Sequence, residues 1–575
     1  MIERNKQAGQ SLLLVAGCMF ALLALLGLAI DVGYYRYFTR KMQTAADAAA
    51  IAGALQIPYG NGSPNFYVQT AALNAATENG FTGGTNGVTV TVSNPPADPP
   101  FNSTTYPMDV EVKITDNQLP TFFSRIFGVT SFPGTLKTSS VAEGSLNCIY
   151  ALDTTGTAPY DGISLTTTLV NTACGVTDNY ELKMNSGDLC APSIQVYETP
   201  VPTATSGTCG DGKDLQPATP SLIYSQVHDP FAYLTEPCSS ADTGCGTATF
   251  NDPPASCTAA GVPAGSLVYP GSGPITFNGS TPGPTIAALK TTLYCFPYSV
   301  TVSGVNVTFM GGDTFTAGLK FSPTIAQTVA FTSNPSVQTS FLGPAGAAGS
   351  GPAFSVGGGI FGGAFNTVNF GTGTYVFSGG FQDSGFFNVI DFTANCTYNA
   401  GLAGGCASNP TTIIIDGGGM FLSGAVPYGA GVFFYNTEDQ TNTSYNHTYG
   451  PINIAFGLGG LLQAPTGGTC GINGGVYCAG ILYFQDRNNP QPATFAATLG
   501  FCFFSCGGGS FLEGAYYFPD ASVLFKYDFG IGAQYSFLVA KDIAWTTSAT
   551  FTFKNRYTSI PNNSPIQEGT AVLVQ

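Results

Sequence analysis

The sequence predicts a mainly β protein with an N-terminal transmembrane α-helix, a small α+β stem domain and a large C-terminal parallel β-helix or solenoid. A β-sandwich or jelly roll is the alternative architecture for the last part. Three observations carry this reading. Leu12 to Ile30 contains no charged residue, and at ~1.5 Å per residue a helix there spans about 28 Å, close to the hydrocarbon thickness of a bilayer. Gly (74), Phe (43) and Tyr (28) are abundant while only 9% of residues are charged, a composition that suits strands joined by tight turns. Beyond Phe354, short apolar runs follow one another: TIIID at Thr412, VFFY at Val432, INIAF at Ile452, ILYF at Ile481, AYYF at Ala515 and FLVAKDI at Phe537. Their first residues lie 20, 20, 29, 34 and 22 positions apart, and stacked rungs accommodate such unequal insertions.

The apolar run does not end as a secretory signal would, in a polar loop after a small-residue cleavage site. Tyr34, Phe38, Met42, Ala45, Ala49 and Ala52 recur at gaps of three and four, and Arg36, Arg40, Gln43 and Asp47 form another stripe, so one helix is expected from about Ser11 to Leu55, stopped by Pro58 and Gly60. Asp31 then marks the water boundary. Tyr34 and Tyr35, with Tyr37, form an interfacial aromatic band, and Arg36, Arg40 and Lys41 reach lipid phosphates. The Ala-rich end, Ala45 to Ala54, reads either as a seam for close helix packing or as plain helix propensity.

A second short helix is expected between Asn65 and Gly80. VTVTVS (Val88 to Ser93) and MDVEVKIT (Met108 to Thr115) alternate as strands, LPTFFSRIFG forms a short helix with Phe122, Phe123, Ile126 and Phe127 turned toward a sheet, and GTLKTSSVAEG closes the unit. This sets limits of 1–56 for the anchor, 57–146 for the stem and 147–575 for the ectodomain. Pro-rich Thr199 to Pro220 and Pro253 to Pro284 read as long cystine-clamped loops.

The anchor residues also carry a resemblance. Gly9-Gln10, Asp31-Val32-Gly33 and the run Gln43-Thr44-Ala45-Ala46-Asp47-Ala48-Ala49-Ala50-Ile51-Ala52-Gly53-Ala54 resemble the N-terminal module of TadG-like proteins of bacterial Flp (tight adherence) pilus-assembly loci. The resemblance implies an inner-membrane protein whose helix meets other membrane proteins of pilus assembly, and the fourteen cysteines that follow the span set its orientation, with the N-terminus in the cytoplasm and the large C-terminal part outside it. Processed pilins of such systems carry Glu five residues after the cleavage glycine, where this chain has Leu14, which argues for an assembly component rather than the major subunit.

A net charge of −16 leaves no basic surface to follow a phosphate backbone, which excludes nucleic acid as a partner. Of fifteen cysteines, Cys18 lies in the apolar run and fourteen follow it. An even count without CxxC spacing points to disulfides and an oxidising compartment, periplasmic or extracellular. Near-neighbour pairing joins Cys148 with Cys174, Cys190 with Cys209, Cys238 with Cys245, Cys257 with Cys295, Cys396 with Cys406, Cys470 with Cys478 and Cys502 with Cys506, although sequence leaves the connectivity open.

Candidate chemistry is sparse. In IYALDTTGT, Asp153, Thr155 and Thr157 follow an apolar strand with the DxSxS spacing of a magnesium adhesion site of von Willebrand factor A type; a strand-closing Thr/Gly turn is the competing reading. His228 and His447 stand in polar loops. Glu438-Asp439 and Asp486-Arg487 suit one groove of a carbohydrate-cleaving solenoid or a plain surface ion pair. GGGMF and CGGGSF lack the Lys and following helix of a phosphate loop. The expectation is a non-catalytic structural or adhesion protein without a cofactor, its ectodomain contacting surfaces or glycans. An extracytoplasmic polysaccharide-cleaving enzyme and a metal-dependent adhesin are the alternatives.

Overall fold

The computed structural model describes residues 8–56, 66–99, 109–145, 147–156, 159–197, 215–216, 220–222, 226–227, 229–232, 234–242, 245, 247–322, 326–344, 351–357, 366–385, 388–392, 410–438, 448–457, 460–465, 470–471, 478–497, 511–526, 536–546, 550–553 and 570–573. The chain divides into two compact units, Met1–Leu146 with Gly569–Gln575, and Asn147–Glu568.

In the first unit α1 runs unbroken from Ala8 to Ala54, and α2 spans Phe66–Glu78. The strands β1 (Val88–Ser93), β2 (Asp109–Asp116) and β3 (Leu136–Ser145) form an antiparallel sheet. Its fourth member is the C-terminal strand Thr570–Leu573, which pairs antiparallel with β3, Ser145 opposite Thr570. This corrects the limits read from sequence: the chain's last strand belongs to the stem rather than to the ectodomain, because the exposed edge of β3 still needs partners for its N–H and C=O groups. The alanine-rich end of α1 also belongs here. Ala45, Ala46, Ala49, Ala50 and Ala54 are buried with Val68, Ala72 and Ala76 of α2 and Val110, Val112 and Ile114 of β2. Gly53 permits this closeness, since a Cβ there would lie 3.1 Å from Val110 Cγ1 and 3.3 Å from the Ala72 Cβ. The small residues therefore form a packing seam, and their partners are elements of the same unit.

The second unit is a parallel β-solenoid with three faces; every register pairing among its described strands is parallel, which rules out the sandwich and jelly roll. Tyr294–Phe296, Thr314–Phe315, Asn334–Leu342, Gly373–Ser378, Thr411–Asp416, Val432–Thr437 and Ile481–Gln485 succeed one another on the first face. Ile275–Phe277, Val300–Val302, Leu319–Phe321, Phe354–Val356 and Phe381–Asp383 do so on the second, and Val307–Phe309, Thr328–Phe331, Thr367–Phe370 and Val389–Asp391 on the third. INIAF (Ile452–Phe456) lies on the second face, paired with 420–425 and 493–497, whereas VFFY and ILYF occupy the first, so the uneven spacing mixes two faces. The segment Pro253 to Pro284, read from sequence as loop, contributes strands Leu267–Val268 and Ile275–Phe277 to the terminal rungs.

In-register pairing brings like side chains into columns. Phe296, Phe315, Phe341 and Phe377 stack with ring centroids 4.7, 4.9 and 4.6 Å apart, and Phe331, Phe370 and Phe392 repeat this on the third face at 5.4 and 5.3 Å. The column containing Phe377 continues through Ile415 to Asn436 and Gln485, where Asn436 Nδ2 donates to Gln485 Oε1 at 3.0 Å. GGGMF forms a corner where backbones touch: a Cβ on Gly419 would meet Pro451 O at 2.4 Å, and Gly418 and Gly419 have φ of 76° and 77°.

Rung order does not follow chain order. The last rung stacks on the first: Leu538 pairs with Ile149, Ile543 with Ile163 and Thr550 with Leu169, and the first rung is followed by 175–190. The chain thus enters the solenoid at an internal rung, builds outward to Ser221–Leu222, crosses to the far end, and winds back from Leu267. The crossing segment lies lengthwise on successive rungs. Val227 N–H donates to Asn179 Oδ1 at 2.7 Å, Phe231 packs on Phe537 at 4.8 Å, and Phe250 packs on Tyr435 at 6.3 Å. Asn251 N–H donates to Gln338 Oε1 at 2.9 Å, and a Cys257–Cys295 disulfide pins the segment to an end rung. Cys148–Cys174 joins the first two rungs, while Cys238–Cys245 and Cys470–Cys478 close local loops. Cys190 is also disulfide-bonded; Cys209, Cys396, Cys406, Cys502 and Cys506 lie outside the described residues.

Buried aspartates satisfy N–H groups at the corners. Asp313 accepts from Tyr294 and Met310 at 2.8 and 3.2 Å, Asp178 from Ile163 and Tyr180, both at 2.9 Å, and Asp383 from Gly385 N–H and the Asn388 amide. Burial outweighs these hydrogen bonds and pushes the carboxyls up, Asp313 to about 8 and Asp178 and Asp383 to about 7.

Two outcomes follow for the full chain in detergent. Phe341→Ala, removing one ring from a close-packed column, is expected to destabilise the solenoid by about 3–5 kcal/mol, read as a lower denaturant midpoint in the emission of Trp545, which is wholly buried. Between pH ~4 and ~8 the folded chain retains protons on these aspartates that the unfolded chain, with carboxyls near their ordinary values, has released, so the unfolding midpoint should fall as pH rises through that window. A midpoint that rises over the same window would contradict the burial of neutral carboxyls.

Candidate functional site

The functional feature built from the most specific sequence signals is the apolar helix α1 with its collar. Leu12 to Ile30 presents its large apolar side chains outward, from 79% exposed at Leu13 to 43% at Ile30, and α1 is long and apolar enough to cross a membrane. Asp31, which closes this run, is buried. Its carboxylate accepts the N–H groups of Phe122 and Phe123 at 2.9 and 3.2 Å, the N–H of Ser124 at 2.8 Å and the Ser124 hydroxyl at 2.6 Å. A one-turn 3₁₀ helix, Ser124–Phe127, starts there, and a carboxylate at the free N–H groups of a helix start is a charge-assisted cap.

The collar uses the aromatic residues. Tyr34 meets Phe122 edge-on at 4.8 Å, Tyr35 meets Phe132 at 5.1 Å and Phe38 meets Phe81 at 5.5 Å. Tyr37, Arg36 and Arg40 are exposed, and the Lys41 ammonium lies 5.7 Å above the Phe81 ring. One turn higher, Gln43 Nε2 donates to Asp47 Oδ1 at 2.8 Å and to the Ser139 carbonyl at 3.3 Å, and the Thr138 hydroxyl donates to Gln43 Oε1. Gln43 of the polar stripe thus ties α1 to β3. Phe122, Phe123, Ile126 and Phe127 do not face the sheet as expected; they are exposed, because the turn hangs from Asp31 alongside the apolar span. No spacing signal connects Asp31 to Ser124 in the sequence. The one pointer is a lone acid that closes an apolar run.

Elsewhere the singled-out residues have local partners. Asp153 follows the first-rung strand Asn147–Ala151 and accepts the Thr155 N–H and hydroxyl at 3.1 and 3.2 Å, an Asx-type turn; Thr157 lies outside the described residues. Among the described residues, no three His, Cys, Asp or Glu side chains gather as metal ligands. Asp486 accepts the Thr437 hydroxyl at 2.8 Å. Arg487 pairs with Glu236 at 3.6 Å and donates to the carbonyls of Phe231 and Leu234 at 3.0 and 2.9 Å, so it fastens the crossing segment. Burial and the nearby Asp486 carboxylate push Glu236 up to about 7. Glu438 is half-buried, and Asp439, His228 and His447 lie outside the described residues.

Residues 9–56 match the family model described as Flp pilus-assembly TadE/G-like. The match takes in α1 and leaves the rest of the stem and the whole solenoid outside it. No curated protein and no solved structure matches the chain.

Replacing Asp31 by Ala leaves the N–H groups of residues 122–124 without their acceptor. Chymotrypsin cleavage after Phe122, Phe123 or Phe127 in detergent-solubilised full-length protein should therefore accelerate over wild type. An unchanged cleavage rate would show that the carboxylate does not hold the turn.

Proposed function

We propose that this chain is a membrane-anchored, non-catalytic structural and adhesion component associated with Flp-type pilus assembly at the bacterial envelope. The observation that carries the reading is the match of residues 9–56 to the TadE/G-like pilus-assembly family, on a helix with the length and apolarity of a membrane span. The helix is N-in in the inner membrane, and its exposed span meets lipid and other membrane proteins of the assembly machinery. The large unit faces the periplasm or the exterior, a placement supported by its disulfides, which persist in oxidising compartments. A parallel solenoid whose core is built from aromatic columns suits long-lived display, and its outward side chains and loops contact surfaces or glycans.

In-frame deletion of the gene tests this. Loss of pili or of surface attachment is expected, with attachment restored by the full chain and not by a version lacking residues 147–568. Normal piliation and attachment in the deletion strain would overturn the reading.

A further inference from the structure

The turn that hangs from Asp31 carries an apolar surface that no other element among the described residues covers. Phe122, Ile126, Phe127 and Val129 are 55, 77, 71 and 44% exposed, a cluster of large apolar groups in a segment whose only charge is Arg125. Contiguous exposed patches of this kind mark contact with a partner or a membrane. Its position is fixed by α1. The Asp31 carboxylate holds the backbone of residues 122–124, and the Phe123 side chain rests where Gly27 lacks one: a Cβ there would lie 2.9 Å from Phe123 Cβ. From that point the turn runs back along the apolar span, forming a cleft of ≈ 490 Å³ lined by Phe20, Leu23 and Gly27 on one side and Phe123, Ile126 and Phe127 on the other. At ~1.5 Å rise per residue Leu23 lies about 12 Å before Asp31 along the helix, and interfacial elements bury their apolar groups about 5–10 Å into the headgroup and acyl boundary.

The backbone suits such a place. Thr121, Ile126, Gly128 and Val129 donate their N–H groups to carbonyls of the same turn, and Asp31 accepts those of residues 122–124. Internal satisfaction of main-chain donors is the condition for entering hydrocarbon. Arg125 is exposed and long enough to lift its guanidinium to phosphate level.

We propose that residues 122–129 insert into the bilayer leaflet from which α1 emerges, and that acyl chains of that leaflet fill the cleft. The occupant follows from continuity: the cleft is one side of the same apolar surface, Leu12 to Ile30, that lipid covers when α1 crosses the membrane. The anchor is then two-point, a span and a wedge, and the wedge fixes the height and rotation of the stem at the membrane surface. The proposal rests on membrane crossing by α1 and is independent of the role in pilus assembly.

A single native tryptophan, Trp545, makes the test direct, since it is wholly buried and supplies a constant background. Full-length Ile126→Trp in single-copy nanodiscs of phosphatidylcholine and phosphatidylglycerol should add a blue-shifted emission that is lost when the acyl chains carry bromine. Thr85→Trp, on an exposed turn of the same unit, should keep its emission. Phe127→Trp provides the same readout if the first variant misfolds. Emission at 126 and 127 as insensitive to bromine as that at 85 overturns the proposal. Shielding of position 126 that arises only when two copies share a nanodisc also overturns it, and assigns the cleft to a second copy. Either failure leaves the deletion phenotype untouched.

Discussion

Hydrogen bonding between parallel rungs, repeated every ~4.8 Å, is the constraint on which the large unit depends. It leaves side chains on successive rungs no choice but to lie over one another, and offset ring stacking at that separation is favourable. Hence the Phe296 to Phe377 column, and hence the chain can carry so many aromatics and so few charges. The same constraint makes the corners exacting. Where backbones close on each other only glycine fits, as at Gly418 and Gly419, and where an N–H points inward a buried aspartate must accept it, as Asp313 does for Tyr294.

Much of this was legible in the sequence, and what was hidden shares one cause. The α1 helix, α2, β1 to β3 and the short strands after Phe354 announce themselves by local periodicity, and a glycine- and aromatic-rich solenoid follows from composition and unequal spacing. Contacts between residues distant in the chain leave no periodic trace. The pairing of Leu538 with Ile149, the return of residues 570–573 to β3 and the hold of Asp31 on Phe122 to Ser124 all belong to this class. Nor can local pattern tell which face of the solenoid a strand occupies: INIAF and VFFY look alike and lie on different faces.

The candidate residues divide along the same line. Asp31 was marked by its place at the end of an apolar run, but its partners were not. Asp486 and Arg487, readable together with Glu438 and Asp439 as the lining of one groove or as a surface ion pair, engage the rung beside them and the crossing segment. Asp153 and Thr155 close a turn on each other. In each case the side chain answers a local demand of the fold, an unpaired donor or a segment to be fastened, that is invisible until neighbours in space are known.

The inverted order of the rungs has a consequence for biogenesis. As the polypeptide emerges from the ribosome, residues 147–222 arrive before most of the solenoid, yet one side of their opening rung must wait for residues 536–553 before it is covered, and the edge of β3 must wait still longer for residues 570–573. Vectorial folding from the N-terminus is thereby interrupted: the earliest material remains unfinished until the latest is delivered. Neither unit is closed until residues 536–553 and 570–573 are in place, so closure of each couples its earliest-made edge to a strand made several hundred residues later.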